Sequence, residues 1–321
     1  MSADAKAGFW RSPAVRWGGS ALALALLLSF VPYRQVWSGV KRIPPGLGLG
    51  LLAFYICLHL VGVVKWRLLI NLAGADLTFA HAVRCYYTGL FANNFLPSLV
   101  GGDVVRAAMA YARARSKAAV VLGSLVDRLM DVVGLAGVAA LGVALIPRSL
   151  DPQSRKVFFA LGGVLLAGGA VGAGALTALP ARRFPYKIRR LMVKVRRGIR
   201  ALSGNPARVA LCLCLGMALQ GLQVGINAWL GAACGLELGF GVWLFAWPLA
   251  KLSALLPVTQ GGIGVREAAL VGLLVPFGAR PVLTAAAGLA FEAITIVGGL
   301  AAGVIAFLIG RFSLAPRRSM P

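Results

Sequence analysis

Long apolar runs separated by basic segments constrain the fold of this chain more than any other feature. Of its 321 residues, 59% are hydrophobic and only 13% are charged, whereas about a quarter of the residues are charged in a typical soluble domain. Because only helices and closed barrels satisfy their backbone polar groups inside a bilayer, such runs predict membrane-spanning helices. Six runs are long enough to span: 17–33, 46–64, 118–146, 157–179, 209–234 and 282–310.

The run 46–64 is followed directly by Lys65, Trp66 and Arg67. An aromatic ring flanked by two cations is typical of the membrane interface, where long basic side chains extend toward water. We therefore expect this helix to end at an interfacial anchor near the membrane surface.

Two further apolar regions, 82–112 and 240–277, are interrupted by polar and helix-breaking residues. Each is long enough for two short helices, but its centre is too polar and too broken to face lipid. Irregular backbone at membrane depth occurs only where protein or a water-filled cavity covers it. We therefore predict two re-entrant helical hairpins.

The two interrupted regions share a motif of proline, three residues, two glycines, three residues and arginine. Its members are Pro97, Gly101, Gly102 and Arg106 in the first region, and Pro257, Gly261, Gly262 and Arg266 in the second. The spans that follow the two regions also match, with Asp127 opposite Glu292. The sequence thus predicts an all-α polytopic membrane protein with six full spans and two re-entrant hairpins, arranged as an inverted-topology repeat of residues 1–146 and 147–321.

The basic residues favour one orientation. The net charge of +24 would suggest nucleic acid binding in a soluble chain, but here the cations lie in the loops, where they set topology, so we expect no nucleic acid partner. With both termini in the cytoplasm, the inner segments carry about three times as many cations as the outer ones, as the positive-inside rule requires.

The segment 181–208 contains ten lysines and arginines and no acid. Two interpretations remain open: a helix lying on an anionic membrane surface, or a basic cytoplasmic loop. In the first, the basic face comprises Arg189, Arg190, Lys194, Arg196, Arg197 and Arg200.

Acidic residues are scarce and concentrated. The chain has nine, and five lie in or beside the two motifs: Asp103, Asp127, Asp131, Glu267 and Glu292. Charges within the bilayer usually face a cavity or one another. Paired glycines, a helix N-terminus and an arginine one turn later would suit a lipid phosphate in each hairpin.

Other readings of the same residues stay open. Asp103, Arg106, Arg266 and Glu267 could pair with each other and hold the hairpins together. The partners of Asp127 and Arg128 are unknown, and Asn93 and Asn94 could cap freed backbone. Lys251 could be a proton-coupled group, a phosphate ligand or a snorkelling residue. The five cysteines and two histidines show no metal-ligand spacing, so we expect no metal or cofactor.

The motifs around these residues, from Asn93-Asn94 to Arg106, then Asp127-Arg128, and then Pro257 to Glu267, resemble the flippase-like transmembrane domain of lysylphosphatidylglycerol synthases and its stand-alone relatives. The resemblance covers nearly the whole chain. It implies a bacterial cytoplasmic membrane protein that moves lipids between leaflets, and we expect it to lack the soluble domain that aminoacylates the lipid.

Residues and resemblance together leave three classes of function. The first is a transporter or flippase for an amphipathic lipid with an anionic head group, working by alternating access. The second is an accessory subunit that recruits a lipid-synthesising enzyme through the basic segment. The third is a membrane-embedded head-group enzyme, which is the weakest reading because no nucleophile and base pair, metal cluster or nucleotide loop is evident.

Overall fold

The computed structural model describes residues 33–96, 101–146, 193, 196–197, 199–253 and 263–313. These residues form helices and turns, without a strand. The main helices, in chain order, are α1 Tyr33–Val40, α2 Pro45–Leu72, α3 Phe79–Asn93, α4 Gly101–Arg113, α5 Lys117–Leu145, α6 Pro206–Cys234, α7 Phe240–Ser253, α8 Val265–Leu274 and α9 Pro281–Ser313.

Four helices, α2, α5, α6 and α9, are long and apolar enough to cross a membrane. They confirm the apolar helices predicted at 46–64, 118–146, 209–234 and 282–310, and most extend a few residues further. The structure therefore shows a multi-pass helical membrane protein. The predicted spans 17–33 and 157–179 lie outside the described residues, except for Tyr33, which begins α1.

Both interrupted regions form pairs of short helices that pack against each other, α3 with α4 and α7 with α8. A 3-10 turn, Val275–Phe277, extends α8 to the predicted end of the second region. At the first pair the backbones approach closely: a Cβ added at Gly102 would lie 2.1 Å from the carbonyl oxygen of Gly89. Glycine is required there because any larger residue would push α3 and α4 apart.

Helices of the two halves pack in matching combinations. The first hairpin helix of each half contacts the last long helix of the other half, α3 against α9 and α7 against α5. The long helices α2 and α6 pack against each other, and each also contacts both α5 and α9. Each helix from α2 to α5 thus has a counterpart among α6 to α9 with corresponding neighbours within this set, and α9 also packs against α1.

The expected interfacial anchor after residue 64 is wrong. Helix α2 continues to Leu72, and Lys65 and Trp66 lie inside the protein with exposed fractions of 1% and 0%. Trp66 donates its indole N–H to the hydroxyl of Ser124 on α5 at 3.1 Å. Lys65 does not extend to water because carboxylates on α5 compensate its charge inside the protein.

Only part of the basic segment 181–208 is described. Arg196, Arg197 and Arg200 belong to it, whereas Arg189, Arg190 and Lys194 lie outside the described residues. Near the end of the segment, Leu202 is buried against Leu69 of α2 and Cys212 of α6. This apolar side chain therefore contacts protein.

Candidate functional site

Arg106 and Asp127 form the centre of a buried ion-pair cluster. Arg106 is on α4 and Asp127 on α5, with exposed fractions of 4% and 1%. Arg106 Nη2 donates to Asp127 Oδ2 at 2.9 Å and lies 3.1 Å from Oδ1 of Asp103, one turn earlier on α4. The cluster therefore ties the second hairpin helix to the long helix that follows it.

Lys65 joins the same cluster from α2. Its Nζ lies 2.9 Å from Asp127 Oδ1 and also pairs with Asp131, one turn further along α5. Arg128 pairs with Asp103. Three cations thus meet three carboxylates, and helices α2, α4 and α5 are joined by charge.

Arg266, Glu267 and Glu292 form a second cluster at the equivalent place in the other half. Arg266 donates to Glu267 Oε1 from Nη2 at 2.7 Å and from Nε at 3.1 Å, and it also pairs with Glu292 on α9. The other oxygen of Glu267 accepts the backbone N–H of Gly264 at 2.7 Å. Gly264 has a φ of 84°, a left-handed conformation that favours glycine.

Both central arginines lie against two aromatic rings. The Arg106 guanidinium lies 4.7 Å from the ring centres of Trp66 and of Tyr86. The Arg266 guanidinium lies 5.3 Å from those of Trp247 and Phe291. Cation–π contacts and two carboxylates compensate the charge of each arginine, and its planar fork fits both kinds of partner. Arg106 Nε has no hydrogen-bond partner among the described residues.

The two asparagines before the first motif bind backbone. Asn93 Oδ1 accepts the N–H of Gly102 at 2.8 Å, and Asn94 Nδ2 donates to the carbonyl oxygen of Ile296 on α9 at 3.0 Å. Asn93 therefore satisfies an N-terminal N–H group of α4, and Asn94 contacts the other half of the molecule. This is the capping alternative left open by the sequence.

A third cluster, made of polar side chains, surrounds Lys251 at the end of α7. Its Nζ donates to Gln220 Oε1 at 2.9 Å and to Gln223 Oε1 at 2.6 Å, both on α6. Both glutamines are buried, and so is His59 of α2. The buried atoms without a hydrogen-bond partner in the described structure include both ring nitrogens of His59. These contacts hold the ammonium group of Lys251 against α6.

The structure brings together most of the predicted site residues that it describes. Asp103, Arg106, Asp127 and Arg128 share one cluster, and Arg266, Glu267 and Glu292 share the other. Gly101 and Gly102 begin α4. Four predicted residues lie outside the described residues: Pro97, Pro257, Gly261 and Gly262.

Sequence reasoning missed the members that join the clusters from other helices. Lys65 and Trp66 were assigned to the interface, and Tyr86, Trp247 and Phe291 were not singled out. The signal for Lys65 was the acid pair Asp127 and Asp131, which required cations from elsewhere in the chain. No comparable signal marked the aromatic residues.

A surface cleft of about 370 Å³ lies apart from these residues and is lined by Asp76, Leu77, Thr78, His81 and Arg113. His81 Nδ1 lies 3.0 Å from the Thr78 hydroxyl, and Nε2 contacts an Arg113 nitrogen. Since guanidinium only donates, Nε2 must accept and the ring is neutral. Partial burial, Arg113 and Arg84 accordingly lower the pKa of His81.

Comparison with known proteins agrees with this architecture. No curated protein sequence matches the chain. The family model described as "Lysylphosphatidylglycerol synthase TM region" matches residues 14–303, nearly the whole length. That match includes α1 to α8, both hairpin regions and both buried ion-pair clusters. The chain therefore belongs to the family of the transmembrane region of lysylphosphatidylglycerol synthases.

Proposed function

We propose that this protein moves an amphipathic lipid with an anionic head group between the leaflets of a membrane by alternating access of its two halves. Family membership supports a relation to lipid modification at a membrane. The long apolar helices support residence in the bilayer. Movement of the lipid between leaflets is what we propose beyond these two findings.

The proposal rests on where the salt bridges lie in the molecule. Every salt bridge found among the described residues joins partners of the same half, either 1–146 or 147–321. Contacts between the halves, such as α7 against α5, instead use small and apolar residues: Gly142 lies against the backbone of Leu244 and Phe245. Among the described residues, salt bridges hold each half together, whereas no salt bridge joins the halves and Asn94 makes a hydrogen bond across them to Ile296.

This distribution suits two rigid units that shift against each other. Moving one half relative to the other breaks none of the buried ion pairs that the structure describes, and breaking one would cost about 3–5 kcal/mol. Matching helix neighbours in the two halves support an inverted-topology repeat, in which such movement alternately exposes a central site to each side. We propose the full arrangement of six spans and two re-entrant hairpins on this basis.

The proposed location is the bacterial cytoplasmic membrane, with both termini in the cytoplasm. The excess of cations in the segments assigned to the inside supports this orientation. The cargo is proposed to be anionic because, among the described residues, Lys251 is held by amide oxygens and not by a carboxylate. The proposal assigns no chemical step and no cofactor to the chain.

A lipid-movement assay tests the proposal. The purified protein is placed in liposomes with fluorescent phosphatidylglycerol, and exposure in the outer leaflet is followed by dithionite quenching, with and without a pH gradient. We expect the wild-type protein to accelerate exchange. Asp127→Asn should slow it by at least about tenfold because the hairpin of the first half loses its tie to α5.

Val304→Ala serves as a matched control, because Val304 of α9 is 60% exposed and contacts neither cluster. It should exchange lipid at the wild-type rate. Exchange no faster than in protein-free liposomes, with and without the gradient, would contradict the proposed function. Formation of a new lipid product by the purified protein would instead favour the head-group enzyme.

A further inference from the structure

Lys251 differs from the other cationic side chains inside the protein in the residues that bind it. Lys65, Arg106 and Arg266 each contact two carboxylates. Lys251 is held by the neutral amide oxygens of Gln220 and Gln223. These oxygens accept hydrogen bonds from the ammonium group but do not cancel its charge.

The small number of acidic residues explains why no described carboxylate compensates the charge of Lys251. Seven of the nine acidic residues are described, and none of the seven forms a salt bridge with Lys251. The segment 254–262, which follows Lys251 along the chain, contains no aspartate or glutamate. An ammonium group has three N–H donors, and the two glutamines use two of them. Among the described residues, the third donor of Lys251 has no partner and no carboxylate pairs with its charge, so both remain for a ligand.

Other donors lacking a protein partner occur near Lys251. Trp247 lies one turn earlier on the same face of α7, and its indole N–H has no partner in the described structure although the residue is 1% exposed. His59 is 5% exposed, with both ring nitrogens unbonded there. Lys251 is close enough to the His59 ring for the two groups to interact electrostatically.

Helix α6 supplies a polar face to the same region. Gln220, Gln223 and Asn227 follow each other at three and four residues, so they share one side of the helix. All three are buried, and Asn227 Nδ2 donates to the Gln223 carbonyl oxygen at 2.9 Å. Buried polar groups on a membrane helix are costly unless they serve a ligand or one another.

We propose that Lys251 binds the anionic group of the transported lipid, a phosphate or a comparable oxyanion, with His59 and Trp247 beside it. Several donors around one uncompensated cation match an anion with several acceptor oxygens. This inference rests on the proposed function and names the contact for its cargo. It also assigns Arg106 and Arg266 to holding the hairpins, since carboxylates already neutralise both.

Binding and transport are measured on the same variants. Lys251→Met removes the charge at similar length, Lys251→Arg keeps it, and Lys117→Met removes an exposed lysine as a control. Retention of phosphatidylglycerol by the purified protein is measured by native mass spectrometry. We expect Lys251→Met to lose at least about tenfold in retention, the typical effect of one charge-assisted hydrogen bond. Lys251→Arg should recover part of it.

A labelling experiment on the wild-type protein avoids any folding defect of the variants. In nanodiscs, an amine-reactive reagent should modify Lys251 less when phosphatidylglycerol replaces phosphatidylcholine, while modification of Lys117 stays constant. Equal modification of Lys251 in both lipids would overturn the inference. Protection by inorganic phosphate alone, without phosphatidylglycerol, would show a free-phosphate site and would overturn the lipid assignment.

The two proposals fail in different ways. If the wild-type protein moves lipid and Lys251→Met moves and retains it equally well, the Lys251 site is wrong and the transport function stands. If the wild-type protein moves no lipid, the transport function itself is wrong, whatever Lys251 binds.

Discussion

At the scale of single residues, each buried arginine contacts both carboxylates and aromatic rings, a combination that only an arginine side chain can make. Arg106 must pair with two carboxylates and also lie against two aromatic rings. Lysine keeps the charge but has neither the planar fork nor the flat surface for stacking. Arginine at this position is therefore a structural requirement, whatever its role during transport.

Replacing Arg106 should show this directly. Arg106→Met leaves Asp127 with part of its charge uncompensated and should lower the free energy of unfolding by about 3–5 kcal/mol. Arg106→Lys should fall between Arg106→Met and the wild type. Thermal unfolding in detergent measures the effect, and Arg115→Met, at an exposed position, is the control. An unchanged melting temperature for Arg106→Met would contradict the buried pair.

The second cluster allows a coupling measurement. Arg266→Met and Glu292→Gln should each destabilise the protein, and the double variant should lose less than the sum of the two single effects. Contacting charged residues typically show interaction energies of about 0.5–3 kcal/mol. Strict additivity would mean that Arg266 and Glu292 do not interact in the membrane.

At the scale of helices, close backbone approach sets the geometry of the first hairpin. Gly102 faces the carbonyl oxygen of Gly89 and the side chain of Asn93, which accepts the Gly102 N–H. The short α4 therefore sits directly on α3, and this contact places Asp103 and Arg106 opposite α5. Small residues allow the same kind of approach elsewhere in membrane helices.

Gly102→Ala should separate α3 from α4. A new Cβ there meets backbone, which cannot move as a flexible side chain can, so we expect a loss of at least about 1–3 kcal/mol in stability. Gly221→Ala on α6 is the matched control because nothing lies within 4 Å of its new Cβ. The control should be neutral or stabilising by up to about 1 kcal/mol. Equal stability of the two variants would refute the close contact.

At the scale of the whole molecule, the proposed topology assigns each loop to one side. Single cysteines in a cysteine-free background, placed at Lys41 and Arg280 for the outside and at Arg115 and Arg208 for the inside, test it. A membrane-impermeant thiol reagent added to intact cells should label the first two positions only. Labelling of Arg115 and Arg208 instead would invert the orientation, and any mixed pattern would exclude the six-span layout. The division at residue 146 stays a prediction.

The sequence alone determined the helical membrane class, four of the apolar helices and both interrupted regions, because hydrophobicity and helix-breaking residues act locally along the chain. It also singled out Arg106, Asp127 and Glu267, which are buried, but it wrongly placed the buried Lys65 at the interface. Only the tertiary structure decided their partners: Lys65 pairs with Asp131, 66 residues away, and Lys251 is held by two glutamines of α6. Such pairs depend on which helices pack side by side and on how each is rotated, and no local pattern contains that information.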